Sequence, residues 1–235
     1  MKTHTHPATP SSSSSSSSPR FSSLLSGLTA VPPRDAIFSL LTSLSLLTSH
    51  ASSPHSPAFK SSLRAFYSTL LTVSLSCRVP SLSVSILRKI ELNTRKYPVE
   101  RCRGKSGKYT DYTDTTGVTS CVSTQSLSPL SPAVDDDVKG GEDSASSEPT
   151  VDDLTSVVDG WVSERDWSKF HTPRNILLAL AGEVGELCEI FQWMGDGGEE
   201  GEGWWREKGE AVEMEVADIA IYGLRLASLV GGKVY

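Results

Sequence analysis

Glu183, Glu186 and Glu189 stand at three-residue steps in GEVGELCEIFQW (182–193), among Val184, Leu187, Ile190 and Phe191. On a helix such steps bring carboxylates onto neighbouring turns, where like charges repel by a few tenths of a kcal/mol per pair. Half-burial raises that cost. A divalent cation is the first candidate to offset it. A second acidic set follows in EMEVADIAIY (213–222), where Glu215 and Asp218 are again three apart, with 28 residues between Glu186 and Glu215. The intervening MGDGGEEGEG (194–203) is Gly-rich and lets two helices fold back antiparallel. Four carboxylates facing one gap make an oxygen-rich cage. Mg²⁺ fits such a cage while keeping waters that phosphates can displace, and Mn²⁺ also suits it. A lone E-x-x-E is ordinarily a solvated helix face. Here Leu180, Val184, Leu187, Ile190 and Phe191 flank one pair, and Val216, Ile219, Ile221 and Tyr222 the other, which turns both pairs inward.

The positioning elements are helical, and no segment reads well as a strand. VDDLTSVVDGWVSERDW (151–167) carries Leu154, Val157, Val158 and Trp161 at helical spacing. Pro173 opens a second helix that runs through NILLALAGEVGELCEIFQW. A third, from about Trp205 to Val230, ends at Gly231-Gly232. The fourth lies upstream in SLSVSILRKIELNTRK (81–96), between Pro80 and Pro98. The spacing thus predicts an all-α bundle of four to five helices. Residues 1–60 read as a disordered or transit-like Ser-rich segment, 61–110 as a helical segment, 111–150 as an acidic, polar linker and 151–235 as core helices with the metal site.

The 235-residue chain carries a net charge of −6 that averages two unlike halves. Asp35 is the only acidic residue before Glu91, against eight Lys and Arg; residues 151–235 hold 17 acidic and 7 basic residues. So acidic a body is a poor nucleic-acid binder. Cys77, Cys102, Cys121 and Cys188 form no C-x-x-C pair, so neither a zinc site nor a disulfide framework is expected. The Ser run at 11–18 and the basic, acid-poor N-terminus fit an organelle transit peptide or plain disorder, leaving the location cytoplasmic or organellar. AIFSLLTSLSLLT (36–48) is too short and too rich in Ser and Thr for a membrane span. Neither G-x-x-x-x-G-K-[ST] nor G-x-G-x-x-G occurs.

The paired motifs, with ERDWSKFHTPRNILLALAGEVGELCEIFQW (164–193) and LRKIELNTRKYP (87–98) trailed by SGKYT (106–110), resemble the MazG-like all-α nucleotide pyrophosphohydrolases, in particular the branch that acts on dCTP. The resemblance covers about 85 residues at the C-terminus and about 40 upstream. In that family the equivalent of 80–110 follows the E-x-x-D helix. Here it precedes the whole block, so the chain looks circularly permuted or assembled in swapped order. A linker of about 40 residues spans roughly 35 Å, enough to join the old ends. The resemblance implies hydrolysis of dCTP or a related deoxynucleoside triphosphate to the monophosphate and pyrophosphate. It implies Glu183, Glu186, Glu215 and Asp218 as metal ligands for Mg²⁺ or Mn²⁺, and Glu186 is the choice for catalytic base. Trp167, Phe170, His171, Trp193 and Tyr222 match the nucleoside pocket, where aromatic faces stack on the base. His171 either bonds the base or caps the helix starting at Pro173. Lys89, Asn93, Arg95 and Lys96 match phosphate-holding positions. The family has a His near Val158, which cannot hydrogen-bond. A homo-oligomer, dimer or tetramer, is implied, with a partner subunit covering Trp161, Phe191 and the third helix. The competing reading is a rearranged helical scaffold whose site no longer works.

Overall fold

The computed structural model describes residues 17–107, 148–194 and 201–235. Eight helices lie within them: α1 (Phe21–Leu25), α2 (Pro33–Ser49), α3 (Pro57–Ser76), α4 (Leu82–Lys96), α5 (Val99–Cys102), α6 (Val151–Glu164), α7 (Pro173–Phe191) and α8 (Glu202–Val230). A single isolated bridge, Arg20 to Thr150, is the one β-type pairing among the described residues. The all-α expectation therefore holds for them. None of the described helices is long and apolar enough to cross a membrane.

α8 is the axis of the fold. Its 29 residues extend about 43 Å at 1.5 Å per residue. Val212, Val216, Ala217, Ile219, Ala220, Leu224, Leu226 and Ala227 are all buried, and they occupy more than one face, as in a helix enclosed by others. α7 packs along it, α3, α4 and α6 take its other sides, and α2 lies against α3 and α7. Gly231 ends the helix in the left-handed conformation, φ 58°, which a residue without Cβ adopts at no steric cost.

Side-chain caps set the starts of α3, α4, α6 and α7. Ser81 accepts from the Val84 amide at α4, and Thr150 and Asp153 form a reciprocal capping box at α6. Thr172 accepts from the Asn175 amide at α7, with Pro173 in the first turn. α6 stops at Glu164, three residues short of the extent the sequence predicts, because Asp166 takes a positive φ of 54°. That turn releases Trp167 from the helix.

Two expectations need correction. Residues 17–60 are not a structureless leader. α2 buries Ala36, Ile37, Leu40, Leu44 and Leu47, a stripe at helical spacing inside the very segment that reads as too rich in Ser and Thr. Those hydroxyls fold back onto the helix: Ser39 donates to the Asp35 carbonyl (2.9 Å), Thr42 to Phe38 (2.9 Å) and Ser43 to Leu40 (2.8 Å). The division at residue 60 also falls inside α3. Residues 1–16 and most of the linker, with Cys121, lie outside the described residues. Cys77, Cys102 and Cys188 form no disulfide among the described residues.

The second correction concerns cover for the third helix, here α8, which is expected from a partner subunit. α3 supplies it within the chain. Tyr67 is fully buried, and its hydroxyl donates to the Ala220 carbonyl at 2.9 Å. Gly223 lies beneath the ring, so close that an added Cβ would sit 2.5 Å from Tyr67 Cε2. Helix propensity alone favours Gly223→Ala by about 1 kcal/mol. Overpacking a closed core costs about 1–3 kcal/mol, and the rigid ring makes that term dominate. Urea unfolding of Gly223→Ala is expected to show lower stability, with Tyr67→Leu in the same chain recovering part of the loss. A gain in stability from Gly223→Ala alone would contradict the α3–α8 contact.

Candidate functional site

α7 and α8 bring their acidic pairs together. One carboxylate oxygen each from Glu183, Glu186 and Glu215 lies within 4.8 Å of the other two. Glu186 is exposed, while Glu183 and Glu215 are half-buried. Glu215 Oε2 is buried and has no hydrogen-bond partner among the described residues. Burial, then the charges of Asp218, Glu186 and Glu215, push the Glu183 carboxyl up to about 8. Burial likewise raises Glu215, against the pull of Lys89. Such a pair of shifts marks a site short of positive charge. The donor set is entirely carboxylate oxygen, the ligand type of a hard divalent cation, and a cation would satisfy both the raised carboxyls and the orphaned oxygen. Glu189, third in the series, is exposed and outside the cluster.

Asp218 is beside these three but engaged elsewhere. Lys89 Nζ is 2.7 Å from its Oδ2, in a pair that leaves the two side chains only 8% and 13% exposed. Asn93 Nδ2 donates to Oδ1 at 3.2 Å. Lys89 and Asn93 are one turn apart on α4, so both reach one carboxylate. The segment 82–107 is thereby docked against the acidic cluster although it precedes it in sequence.

From the cluster a cleft of about 510 Å³ runs between α4, α6, α7 and α8. Trp167, Phe170, His171 and Tyr222 line it, as do Lys89, Asn93 and Lys96. Burial and the neighbouring carboxylates raise the Tyr222 hydroxyl well above its usual range. Ser106 and Gly107 from the trailing SGKYT reach the cleft, while 108–110 lie outside the described residues. Val158, buried, forms part of the wall. Thr172, not His171, caps α7, and His171 lines the cleft.

Two expected site residues are elsewhere. Trp193 follows the end of α7, is 89% exposed and does not line the cleft. The helix ends at Phe191, so the ring loses the helical phase of the carboxylates. Arg95 points along the outer face of α4, paired with Glu91 at 2.5 Å one turn back.

The cleft and its rim include residues beyond those the sequence points to. Trp161 lines it, edge-on to Trp167 with ring centroids 5.1 Å apart, and donates from Nε1 to Thr94 Oγ1 at 2.8 Å. Arg165, almost wholly buried, stacks its guanidinium 4.3 Å from the Trp161 ring and donates to the carbonyls of Tyr97 (2.9 Å) and Trp161 (3.0 Å). Its own carbonyl accepts from the Gly104 amide at 2.8 Å, and Trp167 Nε1 donates to the Cys102 carbonyl at 3.3 Å. These bonds tie 97–104 to the end of α6. Arg225 is also in the wall. The available signal was an arginine within the apolar run of YGLRLASLV (222–230), since a buried Arg needs a partner.

No family model matches the chain. Among characterised proteins it is 46% identical to dCTP pyrophosphatase 1 of Homo sapiens over 96 residues, 38% of this chain and 56% of that protein. It is 47% identical to dCTP pyrophosphatase 1 of Bos taurus over 85 residues, 36% and 50% of the two chains. For the Mus musculus protein of the same name the identity is 44% over 96 residues, 38% and 56%. The chain spans about half the length of the curated relatives it matches. Over that stretch, which is somewhat under two-fifths of its own length, the chain is similar to dCTP pyrophosphatase 1.

Proposed function

We propose that this chain hydrolyses dCTP or a related deoxynucleoside triphosphate to the monophosphate and pyrophosphate, with Mg²⁺ held by Glu183, Glu186 and Glu215. The observation that carries this reading is the convergence of three carboxylates, one with a buried unpartnered oxygen, at one end of an aromatic-lined cleft. The similarity to dCTP pyrophosphatase 1 supports the same substrate. Mn²⁺ has the same ligand preference.

Bound there, the metal supplies charge neutralisation for the phosphates and lowers the pKa of a ligated water. The protein's residues do the rest. Glu186, the most exposed of the three carboxylates, accepts the proton of the water that attacks the α-phosphorus. The bond from that phosphorus to the bridging oxygen breaks, and pyrophosphate leaves. Lys89 and Lys96 add positive charge along the phosphate path, and Asn93 with Lys89 keeps Asp218 from adding a fourth free negative charge. Trp167, Phe170 and Tyr222 offer faces to the base.

We read the chain order as a circular permutation. Its support is that α4, although it precedes the core, packs on α8 and α6 at the cleft. The walls named above come from α4, α6, α7 and α8 of one chain. Self-association, which the resemblance implies, would use exposed apolar residues such as Phe38 and Leu46 on α2 and Leu178 on α7.

The purified protein is expected to release pyrophosphate from dCTP with Mg²⁺ and to stop when EDTA is added. Glu186→Gln is expected to lower kcat at least about 100-fold with an unchanged helical circular dichroism signal. No turnover by well-folded, Mg²⁺-loaded wild-type protein would favour a helical scaffold instead. Metal binding is also expected to displace a proton, because Glu183 keeps its own up to about pH 8 in the metal-free site. Protons compete below that pH, so Mg²⁺ affinity falls as pH drops from 8 to 6, by at most about tenfold per unit for one proton. Calorimetry in buffers of different ionisation enthalpy reads the proton count. An affinity independent of pH over that range would contradict the assignment of Glu183.

A further inference from the structure

His171 meets the cleft with its ring held from behind. Arg225 on α8, 8% exposed, donates from Nε to His171 Nδ1 at 3.3 Å. Its Nη1 donates to Asp159 Oδ1 at 2.7 Å, and Asp159 Oδ2 accepts from Ser228 Oγ at 2.5 Å. The chain Ser228, Asp159, Arg225, His171 therefore runs from the α6–α8 contact to the cleft wall. A guanidinium only donates and does not lose its proton. The His171 nitrogen that faces it must accept, which places the proton of the neutral ring on Nε2. Among the described residues no hydrogen bond to Nε2 occurs. Burial, then the Arg225 charge, lowers His171 to about 4 against the opposing effect of Asp159, so the ring is neutral at physiological pH.

We propose that Arg225 is a positioning residue that locks His171 as an Nε2–H donor toward the nucleobase, so that the cleft selects a base offering an acceptor at that point. The proposal rests on the nucleotide-cleaving reading and names how the same site chooses its base. Cytosine offers two adjacent acceptors, N3 and O2, whereas thymine carries a hydrogen on N3. Asp159 holds the guanidinium in plane, and Ser228 holds Asp159. An imidazolium, or the opposite tautomer, would present a different pattern to the base or to Arg225. The buried cation excludes both.

The test combines a spectroscopic and a kinetic readout on the full chain. Two-bond ¹H–¹⁵N correlation spectra, with the His171 signal identified by its loss in His171→Asn, are expected to show the Nε2–H tautomer in the free wild-type protein at pH 7. In the double variant Asp159→Asn, Arg225→Met, which leaves no unpaired carboxylate, the ring is expected to become a tautomer mixture. KM for dCTP is expected to rise about tenfold, kcat to stay within about twofold, and the preference for dCTP over dTTP to shrink. Arg225→Lys keeps the charge beside Asp159 but loses the planar fork, and is expected to shift both readouts the same way; it serves if the double variant does not fold. An Nδ1–H tautomer or an imidazolium in the wild type would overturn the proposal, as would a folded variant with unchanged KM and base preference. If the wild type hydrolyses no nucleotide at all, the proposed function fails and the base-selecting role with it, while the tautomer spectrum still judges the Arg225 contact.

Discussion

Mutual repulsion among carboxylates is the constraint around which this molecule is arranged. Glu183, Glu186 and Glu215 converge, and two of them are half-buried. Left alone, such a cluster pushes its two helices apart. The packing of α7 along α8 opposes that, and Glu183 yields by keeping its proton to about pH 8. Asp218 is relieved differently, by Lys89 and Asn93 from α4. A nearly buried ion pair is strongly disfavoured once either partner is removed, by roughly 3–5 kcal/mol. α4 is thus bound to the acidic centre electrostatically, and the cleft has its fourth wall for that reason.

α8 then organises the rest. Glu215, Asp218, Tyr222 and Arg225 follow one another at steps of three, four and three residues, so they share one stripe. All of them border the cleft. From Val212 onward the remaining faces of the helix are largely apolar and enclosed by α3, α4, α6 and α7. Rigid placement of this stripe sets the distances between the carboxylate cluster, the phenol and the guanidinium. The opposite wall depends on a break in helix geometry. The positive φ of Asp166 turns Trp167 toward the cleft, and Arg165 fastens the Tyr97 corner to the same point.

The sequence makes parts of this plain. E-x-x-E and E-x-x-D within apolar flanks disclose the acidic centre, because carboxylates seldom sit in such surroundings unpaired. Thr172, Pro173 and Gly231 mark helix ends to the residue. α2 and α3 are harder to see. Their Ser and Thr residues look like a leader, yet hydroxyls such as those of Ser39, Thr42 and Ser43 on α2 bond to carbonyls of their own helix, and an apolar stripe faces α8 and α7. Arg95 stands next to the cleft-lining Lys96 and Trp193 about two turns past Glu186, and the phase of α4 and the end of α7 keep them out of the cleft. Lys89 stands out as a basic residue on a helix, but its partner is 129 positions away and invisible to local patterning. The pairing of Asp159 with Arg225 is of the same kind: two isolated charges on different helices, joined only by the fold.

Anomalous diffraction from crystals grown with Mn²⁺ and a non-hydrolysable dCTP analogue tests the central claim most directly. The account predicts an anomalous peak coordinated by Glu183, Glu186 and Glu215, with the triphosphate reaching it and the base between Trp167 and Tyr222 beside His171. Bound analogue with no metal at those three carboxylates, or metal held only by other acidic residues, would contradict it.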